Sequence, residues 1–320
     1  GIGSVEITPI YGVQNQQKNE ISFLTDQWME MYKHTLHIAD SLHMLVDMNT
    51  GTGWPFGGPA ITTKLAASKL IVREWIVEGN QIWSALIVPE DIKQKESELL
   101  RLMAFGVSGA IDLTRKIKNN KIEWKKPAGR WHIIAAFNGK TFQQVKRAAP
   151  GGEGLVMDHF SAGAVDTYLS YFENAYQRSQ AKYPSQFFND SYEVYGADWT
   201  ESLFKEFYKR RGYKLEKYLN VFINEEKSEF KSRLLTDYRL TLSELLLDNF
   251  TRKWTKWANS HGSLTRNQAH GSPANLIDLY AAVDVPECEG FGLSDFKIPG
   301  LRKDSLTRRN DADLSMLKYA

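Results

Sequence analysis

The feature that most constrains this chain is its alternation of short β-branched runs with longer amphipathic stretches. Val5 to Gly12 reads VEITPIYG, a strand closed by a glycine turn. Thr25 is a fitting N-cap for a helix with Trp28, Met31, Tyr32, Leu36, Ala39 and Leu42 on one face. Met44 to Asn49 is a short buried strand that runs into the glycine- and proline-rich loop TGTGWPFGGP. Leu155 to Phe160 predicts another strand, and Ser161 then caps a helix carrying Val165, Leu169, Phe172 and Tyr176. Further strands are expected at Gln186 to Ser191, Leu264 to Ala269 and Ala281 to Pro286. Tyr213 to His261 contains neither glycine nor proline, which suits long helices.

Strand–helix alternation of this kind implies a parallel sheet covered by helices. The choice lies between a doubly wound sheet and a (β/α)8 barrel. The barrel is the better reading: polar and aromatic clusters follow several predicted strands, where barrel enzymes keep their sites. The first strand also lacks the glycine-rich phosphate turn of a doubly wound sheet. Between Lys69 and Lys146 the alternation gives way to LIVREWIV, QIWSALIV, GAIDLTRKI and WHIIAAF, separated by turn signals. Three segments result: residues 1–68 as the first part of a barrel, 69–146 as a small antiparallel β-rich insertion, and 147–320 as the barrel's continuation. About six barrel strands are expected, so the barrel should be incomplete.

Composition narrows the function classes. Forty basic and 38 acidic residues leave a net charge of +2, which gives no nucleic-acid footprint. No apolar run approaches the ~20 residues of a membrane span. The single cysteine, Cys288, allows neither an internal disulfide nor a cysteine metal cluster.

The chemistry-bearing residues fall after predicted strands. Asn189–Asp190–Ser191–Tyr192–Glu193–Val194–Tyr195 combines two carboxylates, two tyrosines and an amide. A glycosidase needs a carboxylic acid whose pKa is raised by an apolar wall, and Glu193 between two tyrosines fits that role. An ordinary strand-to-helix loop with exposed carboxylates would look the same. Glu287 and Glu289, in DVPECEG, suit a second catalytic carboxylate, a metal ligand or acceptors for sugar hydroxyls; a charged turn is the plainer account. Alternation puts Arg266, Gln268 and His270 on one side of their strand, as polyol recognition or a satisfied polar barrel layer would require. Asp47, Asn49 and Trp54 offer hydroxyl partners and a stacking surface. Asp158 and His159 follow a glycine-rich loop whose order is wrong for a phosphate loop. These oxygen-rich loops suit a hard cation such as calcium, although no spacing identifies its ligands.

Six strings in order, VEITPIYG, VDMNTGTGWPFGGP, VKRAAPGGEG with LVMDHF, NDSYEVYGADWT, TRNQAHGSPAN and VPECEGFG, closely resemble glycoside hydrolase family 106. The resemblance runs from about Val5 to about Leu317. It implies a TIM-barrel catalytic domain within a longer multidomain chain, and hydrolysis of terminal α-L-rhamnosides with inversion. It also implies an active-site calcium ion and export to the periplasm or beyond, in the service of plant polysaccharide degradation. Glu193 in DSYEV matches the general acid. Glu287 and Glu289 match an acidic pair of the substrate or calcium shell. The general base is expected beyond Ala320, which would leave the 320-residue chain inactive alone.

Two other readings stand beside this one. A non-catalytic carbohydrate-binding barrel would keep the aromatic and amide residues without the base. A retaining glycosidase would use Glu193 and Glu287 about 5 Å apart, whereas inversion needs about 6.5–9.5 Å between its carboxyl groups.

Overall fold

The computed structural model describes residues 1–288. The chain opens with β1 (Ser4–Ile7), α1 (Asp26–Ser41), β2 (Leu45–Asn49) and the two-residue β3 (Gly57–Gly58). Six strands without an intervening α-helix follow: β4 (Ser68–Val77), β5 (Ile82–Leu86), β6 (Glu98–Gly106), β7 (Gly109–Asp112), β8 (Lys121–Lys125) and β9 (Trp131–Lys140). The alternation then resumes with β10 (Leu155–Val156), α2 (Ala162–Ser179), β11 (Gln186–Asn189), α3 (Leu203–Arg211), α4 (Leu219–Ile223), α5 (Glu229–Leu246) and α6 (Arg252–Ser260). Last come β12 (Leu264–Asn267), α7 (Leu276–Tyr280) and β13 (Val285–Pro286).

The organising element is a parallel sheet in the order β1-β2-β11-β12-β13. Among the described residues it has five strands, not the six expected, and no closed ring. The missing strand is Leu155–Phe160. Only Leu155 and Val156 form a strand, and they pair antiparallel with Gly58 and Gly57, outside the parallel sheet. Glycine is what admits them: a Cβ at Gly57 would lie 2.4 Å from the Leu155 carbonyl oxygen. The chain then turns at once, because Asp158 Oδ1 accepts from the Phe160 N–H (2.9 Å) and Ser161 caps α2. β2 therefore pairs directly with β11, through Met48↔Phe187 and Asn49↔Phe188.

Helices cover one face of this sheet. Val165, Leu169, Phe172 and Tyr176 of α2 are buried as their spacing predicts. In α1 the stripe is rotated: Met29 replaces Met31 inside, and Leu42 lies exposed past the helix end. Met48 and Phe187 point to the helices, where Phe187 packs 5.0 Å from Trp257, ring to ring.

Residues 68–140 form two antiparallel sheets, β4-β9-β6-β7 and β5-β8. β9 is flanked by β4 and β6 and buried on both faces, which accounts for its unbroken apolar run. Ile134 and Ala136 join the main core. Trp131, Ile133, Ala135 and Phe137 alternate into a second core with Trp83, Leu102 and Trp124. In β6, Leu100, Met103 and Phe105 likewise join the main core while Leu102 and Ala104 face the second, so the antiparallel unit is fused to the main core through β6 and β9.

Candidate active site

Residues in register on parallel strands share a face. Glu6 is level with Asp47, Asn49 with Phe188, and Phe188 with Arg266. Since Met48 and Phe187 face the helices, Glu6, Asp47, Asn49, Phe188 and Arg266 occupy the opposite, concave face. The Arg266 guanidinium lies 4.6 Å from the Phe188 ring centroid and forms an ion pair with Glu6. Its Nε lies 2.8 Å from Glu287 Oε2, while Gln268 Nε2 donates to Glu287 Oε1 (2.8 Å). Asp47 Oδ2 accepts from Ser4 Oγ (3.1 Å). Asp47 Oδ1 and Gln268 Oε1 are buried with no protein partner. A buried acceptor without a donor is costly, so these two atoms favour a hydroxyl-bearing ligand.

Glu193 stands in the loop after β11, at the C-terminal edge of the sheet. Its Oε2 is ion-paired with Lys146 Nζ and accepts from the Tyr195 hydroxyl (2.8 Å), which itself accepts from Lys146 (2.9 Å). Ser191 Oγ donates to Oε1 at 3.4 Å. Gln143 fixes the loop's backbone by donating to the Glu193 carbonyl (2.7 Å) and accepting from the Tyr195 N–H (2.7 Å). Partial burial pushes the Glu193 carboxyl up, but Lys146 and Tyr195 outweigh it, and the net shift is below the ordinary value. The sequence expectation of an acid raised by its aromatic neighbours is therefore corrected: Tyr195 stabilises the ionised form, and the cation that governs the group is Lys146.

Neighbouring loops hold this arrangement in place. Trp54 and Lys146 exchange backbone hydrogen bonds (3.2 and 2.9 Å), and Arg147 lies 5.0 Å from the Trp54 ring centroid. Asn49 Nδ2 donates to the Gly53 carbonyl (3.1 Å). On the other side, the Tyr192 N–H donates to the His270 carbonyl (3.0 Å), and the Gln268 N–H to the Asn189 carbonyl (2.9 Å). Gly271 sits at φ 81°, and a Cβ there would approach the Tyr192 carbonyl oxygen to 2.5 Å. Only glycine lets the loops after β11 and β12 meet so closely.

The predicted site residues divide into three groups. Asp47, Asn49, Arg266, Gln268 and Glu287 share the concave face, and Trp54, Glu193 and His270 belong to the loops at its rim. Asp158 and His159 lie in the core, 4% and 2% exposed. Burial pushes Asp158 up to about 6 despite its hydrogen bonds, and pulls His159 down to about 4. His159 Nδ1 donates to the Met157 carbonyl (2.9 Å), and its ring packs against Tyr192 and Phe250. Tyr192 is buried above it, and Asp190 Oδ1 accepts from the Ser191 N–H (2.7 Å) in a local turn. Glu289 lies outside the described residues. Glu6, Gln143 and Lys146 were not legible as site residues. The one available signal was Glu6 itself, a charge inside a β-branched run.

Among the described residues no group of three or more His, Cys, Asp or Glu side chains is placed to hold a cation. Glu287 already has both oxygens engaged by Arg266 and Gln268. Among the same residues no helix is long and apolar enough to cross a membrane.

Residues 90–291 match the family model of glycoside hydrolase family 106, described as alpha-L-rhamnosidase. The fold is similar to that of a rhamnosidase from Novosphingobium sp. PP1Y, with a TM-score of 0.67 at 14% identity, over 89% of this chain and 45% of that one. A curated protein of Formosa agariphila named "Putative beta-glucuronidase" is 24% identical over 315 residues, covering 84% of this chain and 27% of its own length. The chain thus spans less than half the length of either relative. With nearly two thirds of its residues inside the family match, this chain belongs to glycoside hydrolase family 106.

Proposed function

We propose that the chain supplies the acid-catalytic side of an α-L-rhamnosidase active site, set on part of a (β/α)8 barrel. Residues 1–68 and 147–320 would belong to the barrel and 69–146 to its insertion. The observation that carries this reading is the placement of Glu193 at the rim of a concave polar face whose Asp47 Oδ1 and Gln268 Oε1 lack partners. Sugar hydroxyls donate to those two acceptors. Glu193 delivers its proton to the glycosidic oxygen as the C–O bond breaks. For that step the carboxyl must be protonated, so entry of the sugar must loosen its contact with Lys146. Losing the Lys146 ammonium removes the strongest pull towards the ionised form and so raises the pKa. Water attacks the anomeric carbon from the opposite face, giving inversion, with its base assigned to a carboxylate outside the described residues. Glu287, bound on both oxygens by Arg266 and Gln268, is assigned to substrate positioning.

The test is hydrolysis of an aryl α-L-rhamnoside by the whole protein of this reading frame, followed by proton NMR. The β-anomer of rhamnose should be the first product. First release of the α-anomer would replace inversion with a retaining mechanism. Cleavage of an aryl β-D-glucuronide in preference to the rhamnoside would overturn the substrate.

A further inference from the structure

A separate cavity of about 360 Å³ opens where the antiparallel unit meets the segments around Thr63 and Glu201. Its size falls in the range of small-molecule sites, about 300–1,000 Å³. Three observations define what it would hold. Asn138 lines it, is 5% exposed, and has a buried Oδ1 with no partner. Phe142 also lines it and keeps 39% of its surface exposed while its backbone is held at φ 55°, in the left-handed region. A bulky aromatic in that conformation needs support from its surroundings, here the Thr141 N–H bonded to the Ala67 carbonyl (2.9 Å) and the Gln143 side chain bonded across to Glu193. The wall is also built rather than improvised. Lys140 Nζ donates to the Lys64 and Ala66 carbonyls (2.9 and 3.1 Å) and to Ser68 Oγ (2.8 Å), and Gln94 clamps the Lys140 backbone.

Charge selects the ligand class. Lys64, Lys93 and Lys140 are matched by Glu96, Glu98 and Glu201, three cations against three anions, and the Lys140 ammonium already has its hydrogens engaged by those oxygens. The lining thus has no excess positive charge to hold an anionic ligand. A neutral polyol supplies hydroxyl donors to the glutamates and to Asn138 Oδ1, and a C–H face to the Phe142 ring. We propose that this cavity is a second carbohydrate site, taking a neutral sugar unit and rejecting uronates. It is distinct from the face that carries Glu193, although Phe142 and Gln143 are adjacent in sequence.

The experiment is saturation-transfer NMR on the whole protein with methyl α-L-rhamnoside, methyl β-D-galactoside, methyl β-D-glucoside and D-glucuronate. At least one neutral glycoside should bind both the parent and Glu193→Gln, and about tenfold more weakly to Phe142→Ala. Glu201→Lys, at an exposed position, should admit D-glucuronate. It gives a second reading if Phe142→Ala fails to fold. Failure of every neutral glycoside to bind the parent would overturn the proposal. So would binding unchanged in both cavity variants. Because Glu193→Gln keeps this site, loss of turnover and loss of cavity binding are read separately.

Discussion

Glu6 and Arg266 form an ion pair although they are 260 residues apart and stand on strands separated by two others. In a flat sheet those strands would lie about 14 Å apart, three spacings of about 4.8 Å. Side chains meet over that span only if the sheet curves towards them, as a barrel wall does. Arg266 lies between Glu6 and Glu287, so removing it leaves two carboxylates without their cation. Arg266→Met should lower stability by about 1–3 kcal/mol in urea unfolding. Combined with Glu6→Gln, the loss should be smaller than the sum of the two. Strict additivity would mean that the pair does not brace the sheet.

Lys146 sets the charge of Glu193. A general acid works only while protonated, so kcat/KM falls as pH rises through its pKa. Lys146 lowers that pKa and places the alkaline limb at lower pH. Lys146→Met should move the limb upward, measured on an aryl α-L-rhamnoside. An unmoved limb would mean that Lys146 is displaced before the acid titrates, or that another group gives the limb.

Gly53 bears on the same pair. It sits at φ 58°, and a Cβ there would fall 1.7 Å from the Lys146 carbonyl oxygen. Gly53→Ala should therefore break the Trp54–Lys146 bridge, cost about 2 kcal/mol or more, and shift the pH profile in the direction of Lys146→Met. A normal Tm and profile would show that the loop relaxes without moving Lys146.

Asp158 and His159 act oppositely on stability. Asp158, raised from 3.8 to about 6, favours the folded state most below pH 3.8 and loses that contribution as pH rises through 6. His159, lowered from 6.5 to about 4, contributes stability above pH 6.5 that is lost as pH falls towards 4. Between about pH 4 and 6 the two slopes offset each other. Asp158→Asn should make Tm fall more steeply from pH 6 to 4, and His159→Gln should make it rise. Parallel curves for parent and both variants would refute this.

Much of the fold was legible because it rests on periodicity. The register of α2, the parallel strands, and the clustering of Asp47, Arg266, Gln268 and Glu287 all follow from alternation. Leu155–Phe160 misled because its apolar letters fit a strand equally well. What shortens it is a pairing with Gly57 and Gly58, a hundred residues earlier. Asp158 and His159 misled in the same way, since polar letters after a strand describe a site or a satisfied core alike. Lys146 was invisible because its role depends on the backbone bridge to Trp54, which no local pattern encodes.

If Glu193 protonates the leaving oxygen, Glu193→Gln must act unequally on two α-L-rhamnosides with unequal leaving groups. The amide keeps the shape but cannot donate a carboxylic proton. An alkyl or sugar rhamnoside, which needs protonation, should lose about 10²–10⁴-fold in kcat. A dinitrophenyl rhamnoside, which hardly needs it, should lose far less. Equal losses on both would contradict the account and leave Glu193 a positioning residue.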